Sequence, residues 1–178
     1  ATYYVALNQK SYAPFRDIRV RQAFAYATNK DQIRKVVLEN RMDAAEDILP
    51  EGIPGYDPAF KGLPFDPVKA KQLLAEAGYP GGKGLPPIDM YYNQSYALQD
   101  QLFDFIRQQW QENLGVTLNG RRTEASVFFD QEDKNILPAF QIRWAADYLD
   151  PQDYYTVLLR TGASQNHVGS NNLKFDTL

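Results

Sequence analysis

Apolar residues recur along the chain with two different spacings, which predict alternating strands and helices. A period of two, typical of strands, occurs in residues 2–8, 88–92, 116–119 and 140–144. A period near 3.6, typical of helices, occurs between these segments, as in the repeat of Val20, Ala23, Phe24 and Ala27. Strands that alternate with helices predict an α/β fold, in which helices flank a sheet and cover its faces.

The ends of the predicted helices are marked by residues that suit them. Asp17, Asn29 and Asp66 each precede a helical repeat and can accept a hydrogen bond from its free N–H groups. Gly78 and Gly115 follow helical repeats, where a residue with positive φ commonly ends a helix. The repeats also predict the buried faces, which are Ile33, Val36 and Val37 in the second helix and Leu98, Leu102, Phe105 and Ile106 in the fourth.

Residues 44–64 carry no such repeat and are punctuated by Pro and Gly, which predicts one long loop. A loop of this length is unusual within a compact domain, and such loops are often functional or packed against a neighbouring element. We therefore expect this loop to lie against the rest of the domain or to take part in its function.

The last predicted strand ends in a group of candidate functional residues. The sequence F-Q-I-R-W-A-A-D-Y-L-D-P begins with an alternation that puts Phe140, Ile142 and Trp144 on one face. Trp144, Asp147 and Tyr148 then lie at the carboxyl end of this strand, where α/β sheets tend to bind ligands. A carboxylate beside aromatic rings suits a ligand that carries a cationic group and an apolar side chain.

The same residues have a purely structural interpretation, which this stretch alone favours. Trp144 can belong to the core, and Asp147 can turn the chain, because placed charges are often structural. Asp150 and Asp153 suit the acidic first turn of a following helix. Among these carboxylates, therefore, only Asp147 has no helix-start explanation.

Composition excludes several classes of function. The chain has 19 basic and 22 acidic residues and a net charge of −3, which argues against nucleic-acid binding. It has no Cys and a single His, His167, so a disulfide, a cysteine nucleophile and a multi-histidine metal site are excluded. No apolar run approaches the roughly 20 residues of a membrane span. We expect no metal and no cofactor, and we interpret the opening directly on a strand, without a signal peptide, as a mature product or an excised piece.

Other segments offer weaker candidates for chemistry. The G-G-K-G of residues 81–84 lacks the spacing of a phosphate-binding loop and follows a helix rather than a strand. His167 lies near Ser164 and Ser170, but no nucleophile elbow surrounds either serine, so we expect His167 in an exposed loop. Three asparagines of the polar tail can hydrogen-bond a ligand or simply form turns: Asn166, Asn171 and Asn172.

Six segments, taken in order, form a recognisable set. They are P-F-R-D-I-R-V-R-Q-A-F-A-Y-A from Pro14, I-L-P-E-G, D-P-V-K-A-K-Q-L-L-A-E-A-G-Y, W-Q-E-N-L-G-V, W-A-A-D-Y-L-D-P and N-H-V-G-S-N-N-L-K-F-D. The first is similar to the F-x-D-x-R-V-R-Q-A signature of the family 5 extracellular solute-binding proteins. These are the oligopeptide- and dipeptide-binding components of ABC importers. Each segment is modestly specific, but the ordered set resembles this family over nearly the whole chain.

The resemblance implies an architecture. Members of the family are longer and have two lobes that close on a ligand, and this chain looks like the second lobe alone. It implies one domain over residues 1–178 with an α/β type II periplasmic-binding-protein-like fold, a mixed sheet flanked by helices. The first lobe is absent from this chain.

The resemblance also implies site residues. In peptide-binding members, the Asp of the W-x-x-D-Y motif pairs with the α-amino group of the peptide, and this role carries to Asp147. Trp144 would line a side-chain pocket. Tyr148, Asn171 and Asn172 are weaker ligand-binding candidates.

The implied function is that of a receptor rather than an enzyme. It would capture extracytoplasmic oligo- or dipeptides, in the periplasm or at the cell surface, and deliver them to the permease subunits of an ABC importer. Its partners would be a peptide or another small solute, the permease and the missing first lobe, with no nucleic acid.

One neighbourhood departs from the family pattern. Some oligopeptide binders place basic residues on the strand before the Trp and in the helix ahead of it, where they meet the ligand's carboxylate. This chain has Gln141 and Glu132 there. The family also includes receptors for nickel chelates, haem, sugars and opines, which remain alternatives. A hydrolase that uses Asp147 with Asp150 or His167 is the alternative from another class.

Overall fold

A computed structural model describes residues 1–177 and shows a four-stranded sheet with helices packed on both faces. The strands are β1 (Thr2–Leu7), β2 (Ile88–Asn93), β3 (Leu118–Thr123) and β4 (Ala139–Trp144). The helices are α1 (Ile18–Tyr26), α2 (Lys30–Val36), α3 (Pro67–Glu76), α4 (Ala97–Leu114), α5 (Ala125–Asp133), α6 (Gln152–Leu159) and α7 (Leu173–Asp176). Short 3-10 helices cover Ala13–Arg16 and Pro80–Gly82. The predicted α/β class is confirmed.

The sheet is mixed, with the strand order β1-β4-β2-β3. Strands β2, β3 and β4 run parallel, whereas β1 runs antiparallel to β4 and sets Thr2 opposite Trp144. Because parallel strands end at the same edge of a sheet, Asn93, Thr123 and Trp144 mark one common edge. This is the edge at which a ligand site was predicted.

Two apolar clusters cover the two faces of the sheet. On one face, Met90 of β2 and Ala139 of β4 lie in the cluster that α1, α3 and α4 complete. On the other face, the rings of Phe140 and Phe128 pack edge to face, with centroids 6.1 Å apart. Since neither face is open to water, Gln141 is buried, with its Nε2 3.6 Å from the sulfur of Met90.

Helix ends follow the predicted signals. The side chains of Asp17, Asn29 and Asp66 each accept a hydrogen bond from a backbone N–H two or three residues further along. Gly78 and Gly115 have φ values of 95° and 71°, the conformation in which glycine ends a helix. These local predictions are confirmed.

The predicted core face of α4 is shifted around the helix. Of the four predicted core residues, Ile106 alone is fully buried. Gln109 and Trp110 lie on the buried side of the helix instead, and both form hydrogen bonds to the segment that follows α1. Gln109 Oε1 accepts from the N–H of Asn29 at 2.9 Å, and Trp110 Nε1 donates to Thr28 Oγ1 at 2.8 Å. The buried residues of α4 are Gln99, Phe103, Ile106, Gln109, Trp110 and Leu114.

The predicted buried face of α2 was wrong. The helix has no buried residue, and Val36 is 60% exposed. Only Ile33, on the face toward α1, packs against the large cluster. A helix of seven residues that touches the core through one side chain leaves the rest of its apolar stripe in water.

Residues 44–64 form a loop that packs against α6, as predicted for an unusually long loop. Hydrogen bonds fix it at three places: Thr2 Oγ1 donates to the carbonyl of Ile48 at 2.8 Å, Tyr155 Oη donates to Asp47, and Lys30 Nζ donates to the carbonyl of Ala45 at 2.8 Å and to Glu46. A third apolar cluster forms between the loop and the helix from Leu49, Ile53, Tyr154 and Leu158.

Candidate functional site

Trp144, Asp147 and Tyr148 lie together at the carboxyl end of β4, where the chain leaves the sheet and turns toward α6. We call these three residues the strand-end cluster. It lies at the edge shared by the carboxyl ends of β2 and β3, the position at which open α/β sheets commonly bind ligands.

The indole of Trp144 is half-buried and oriented by a hydrogen bond. One side of it packs on the cluster formed by the long loop and α6. Its Nε1–H donates to Oδ2 of Asp153 at 3.2 Å. Trp144 therefore combines the structural role considered for it with a remaining exposed surface.

Asp147 is exposed, and a hydrogen bond holds its backbone but none holds its side chain within the described residues. Its backbone N–H donates to the same Oδ2 of Asp153, at 3.0 Å. Within residues 1–177 no hydrogen bond or ion pair engages the carboxylate of Asp147. The carboxylate of Asp147 is therefore open to solvent and unengaged in the part of the chain that the structure describes.

Tyr148 is 45% exposed, and its hydroxyl donates to Oε1 of Gln152 at 3.2 Å. Loss of solvent raises the pKa of Tyr148, and the charges of Asp153, Asp150 and Asp147 raise it further. The phenol therefore lies in a negative electrostatic field. A field of this sign favours a cationic ligand group over an anionic one.

The two asparagines predicted as ligand contacts lie outside this group. Asn172 caps α7, its Oδ1 accepting from the N–H of Phe175 at 3.2 Å, and Asn171 is exposed. No hydrogen bond among residues 1–177 joins either asparagine to the strand-end cluster.

Asn166, a third candidate, has a structural role. It is buried, and its Nδ2 donates to the carbonyls of Arg160 and Ser170, at 2.9 Å each. Its Oδ1 accepts from the N–H of Ser170 at 3.0 Å. These bonds close the tail loop on itself and use the amide's hydrogen-bonding groups.

His167 was predicted in an exposed loop, and this was wrong. It is 7% exposed, with Nδ1 2.9 Å from Oε1 of Glu132 and Nε2 3.1 Å from the carbonyl of Ser164. Burial by itself lowers the pKa of His167, but the hydrogen bond and charge of Glu132, with Asp133 and the Ser164 carbonyl, raise it above its usual value. The tail after α6 therefore packs on α5. This contact could not be inferred from the sequence, because Glu132 and His167 lie far apart in it.

Asp153 is the functional candidate that sequence reasoning missed. It lies in the first turn of α6, as predicted, but it is also 1% exposed and holds both Trp144 and Asp147. Its neighbour Asp150 also lies at the helix start, accepting from the N–H of Gln152 at 2.8 Å. The buried residues of α6 are Asp153, Tyr154 and Leu158.

The geometry gives no support to a hydrolytic centre. Asp150 is engaged in a helix cap and His167 is bound to Glu132. The described residues contain no group of three or more His, Asp or Glu side chains placed to hold a metal ion. No helix within residues 1–177 has the length and apolar character needed to cross a membrane.

Two larger concave regions lie away from the strand-end cluster. A groove of about 940 Å³ runs between α2, α4 and β3, and a smaller one of about 340 Å³ follows β1. The large groove is open, and charged residues such as Asp104, Arg107 and Glu112 line it together with Val36 and Phe105. Neither region includes a residue of the strand-end cluster, in which Asp147 and Tyr148 are exposed to solvent.

Comparison with known proteins gives one consistent family. Residues 1–166 match the model described as bacterial extracellular solute-binding proteins, family 5 Middle. The chain is 32% identical over 181 residues to heme-binding protein A of Haemophilus influenzae, covering 98% of this chain and 32% of that protein. It is also 32% identical over 182 residues to the periplasmic oligopeptide-binding protein OppA of Salmonella typhimurium, covering 99% and 33%.

A solved structure shares the fold. The crystal structure of the oligopeptide-binding protein OppAIV from Borrelia burgdorferi superposes with a TM-score of 0.89 at 26% identity, covering 99% of this chain and 35% of that chain. The chain thus spans about a third of the length of these three proteins. It has the type II periplasmic-binding-protein-like fold and belongs to the bacterial extracellular solute-binding proteins of family 5.

Proposed function

We propose that this chain is the second lobe of a two-lobe extracytoplasmic receptor, which captures oligo- or dipeptides and delivers them to the permease subunits of an ABC importer. The observation that carries the proposal is the free, exposed carboxylate of Asp147 beside the indole of Trp144. The carboxylate would pair with the α-amino group of a peptide, and the indole would cover part of a side chain.

The electrostatics of the site support an ammonium-bearing ligand. Partial loss of solvent and the charges of three carboxylates raise the pKa of the neighbouring Tyr148, and those charges make the field at the wall negative. An ammonium group enclosed between two lobes loses its water and needs an ionised partner. Asp147 would supply that partner, while Asp153 is already engaged by two N–H groups.

The chain would provide one wall of the binding site. The strand-end cluster is open to solvent, and a ligand site usually buries most of the ligand's surface. A second lobe closing over this edge of the sheet would complete the enclosure. In this scheme the protein binds and releases its ligand unchanged, so no catalytic group is required.

A non-peptide solute is the second candidate function. It is favoured by the 32% identity to a relative named heme-binding protein A, which equals the identity to OppA of Salmonella typhimurium. The two candidates differ in the group that meets Asp147, because haem carries carboxylates and no ammonium group. The negative field at Tyr148 therefore favours the peptide.

The test is native mass spectrometry of the full-length protein purified from its own cells. A family of added masses that fit short peptides would support the proposal, and Asp147→Asn should abolish them. A single added mass that fits haem, a metal chelate or a sugar would overturn the peptide assignment. Asp104→Asn provides the matched control, because Asp104 is an exposed carboxylate of α4 that pairs with Arg107 and should leave the ligand in place.

A further inference from the structure

One carboxylate oxygen of Asp153 connects two residues of the strand-end cluster. Oδ2 accepts from Nε1–H of Trp144 at 3.2 Å and from the backbone N–H of Asp147 at 3.0 Å. The first bond fixes the plane of a side chain, and the second fixes the turn from which another side chain projects. The two bonds therefore couple the indole and the free carboxylate of Asp147 through a single atom.

The environment of Asp153 is unusual for a carboxylate. The side chain is 1% exposed, and no ion pair within residues 1–177 includes it. Buried carboxylates are rare unless they are paired or hydrogen-bonded, because an ionised group loses its hydration on burial. Here the compensation comes from two N–H donors of the strand-end cluster. Such charge-assisted bonds are roughly twice as strong as neutral ones.

We propose that Asp153 is a positioning residue that presets the geometry of the ligand wall before a ligand binds. It holds the indole of Trp144 and the turn that carries Asp147 in one arrangement. Preorganisation of this kind raises affinity because fewer side chains have to be ordered on binding. The statement that this arrangement serves ligand binding rests on the proposed function. The statement that Asp153 holds Trp144 and the turn at Asp147 concerns this chain alone.

A positioning role differs from a purely electrostatic one in what an amide can replace. Asparagine at this site keeps a carbonyl oxygen that accepts both hydrogen bonds, but it carries no charge. Leucine has a similar volume and no acceptor. If Asp153 acts by position, Asp153→Asn retains the arrangement and Asp153→Leu loses it. If it acts only by charge, the two variants behave alike.

The closing experiment uses ¹⁵N-labelled chain without any ligand. The chain has two tryptophans, so its spectrum contains two indole N–H signals, which Trp144→Phe assigns. In the unaltered chain, the Trp144 indole N–H and the Asp147 amide should both exchange with solvent at least about tenfold more slowly than in an unstructured peptide. Exchange of both groups at the free rate would overturn the proposal, even if no variant of Asp153 folds.

The variants then separate the two roles. Asp153→Leu should shift the Trp144 indole signal and speed its exchange by at least about tenfold, while the signal of Trp110, which bonds to Thr28, stays in place. Asp153→Asn should restore most of the protection, and Asp150→Asn should change neither signal. Equal loss in the Asn and Leu variants would overturn the positioning role.

Peptide affinity supplies a separate result. In the full-length protein, calorimetry with trialanine should show that Asp153→Leu weakens binding by at least about tenfold and that Asp153→Asn weakens it several-fold less. Failure to bind trialanine or any co-purified peptide would count against the proposed function, while slow exchange in the isolated chain would still establish the holding role. Protection without any difference in affinity between the two variants would show that the arrangement does not serve binding.

Discussion

The imidazole of His167 and the carboxylate of Glu132 face each other in the interior, with Nδ1 and Oε1 2.9 Å apart. The contact fastens the tail after α6 to helix α5. Nε2 of the same ring lies 3.1 Å from the carbonyl of Ser164 and 3.7 Å from Oδ1 of Asp133. Burial opposes the charge of His167, but these neighbours outweigh it, so its pKa is raised in the folded chain.

This pair should make stability depend on pH. A histidine whose pKa is raised on folding contributes stability that is fully present below its unfolded pKa of about 6.5 and is lost as the pH rises through the folded value. His167→Phe keeps an aromatic ring but has no N–H, so its free energy of unfolding should lack this pH-dependent contribution. At about pH 6 the free energy of unfolding of this variant should also be about 3–5 kcal/mol lower than that of the wild type, because Glu132 is left buried without a partner. Urea unfolding at about pH 6 and about pH 8.5 measures both effects.

An exposed pair at the end of α5 provides the control. Nζ of Lys134 lies 2.6 Å from Oδ2 of Asp130, and both side chains are more than half exposed. Lys134→Gln should change the unfolding free energy by less than about 1 kcal/mol. The same pH slope in the wild type and in His167→Phe would show that His167 does not titrate against Glu132 in the folded chain.

Gly115 should be far less tolerant of substitution than Gly162, although both have positive φ, 71° and 76°. A Cβ at Gly115 would lie 2.5 Å from the carbonyl oxygen of Gly81, whereas one at Gly162 would meet nothing within 4 Å. Gly162→Ala should cost about 1–2 kcal/mol for its backbone conformation alone. Gly115→Ala should cost at least about 1 kcal/mol more, because the turn at Gly81 has to move. Equal losses in thermal unfolding would contradict this close approach.

Asp147→Asn should reduce the peptide affinity of the full-length protein more than any other single polar change in this lobe. Truncating one partner of a buried charged pair costs about 2–5 kcal/mol, which is roughly thirty- to several-thousand-fold in dissociation constant. Asparagine keeps the shape but offers only a neutral acceptor. Isothermal titration with a peptide found bound to the protein measures the loss.

Acetylation of the peptide's α-amino group tests the partner of Asp147. It should weaken binding to the wild type about as much as Asp147→Asn does, and the two losses should not add. Simple additivity would mean that Asp147 does not hold the amine. Trp144→Ala offers a contrast, since it should weaken peptides with bulky side chains more than those with small ones.

The isolated chain should bind peptides only weakly. The strand-end cluster is a single open wall, and a peptide on it would keep most of its surface in water. Calorimetry with the 178-residue chain should therefore give no binding at micromolar concentrations. A dissociation constant in the micromolar range or tighter would show that one wall is sufficient and would weaken the two-lobe proposal.

The sequence predicted well what depends on neighbours along the chain. Asp66, Pro67 and Gly78 bracket α3 because capping and termination depend on residues a few positions apart. The end of β4 was found for a similar reason, since strand alternation stops at Trp144 and leaves Asp147 without a structural explanation.

The sequence predicted poorly what depends on contacts between distant segments. The burial of His167 needs Glu132 on another element, and the inward position of Gln109 needs the end of α1. Asp153 does lie in the first turn of α6, but spacing along the chain does not show that its carboxylate accepts from an indole and from a turn that precede the helix. Polar residues that are buried by tertiary hydrogen bonds look like surface residues when only spacing is considered.

The pairing of β1 with β4 sets the order in which the sheet can be completed during synthesis. Strand β1, Thr2–Leu7, hydrogen-bonds only with Ala139–Trp144 within the described sheet. Closing so long a loop is entropically costly and slow, whereas β2, α4 and β3 are neighbours along the chain and can associate early. On the ribosome β1 therefore remains an unpaired strand with a Tyr-Tyr-Val sequence until β4 has emerged, and this is the interval in which it is most open to association with other chains.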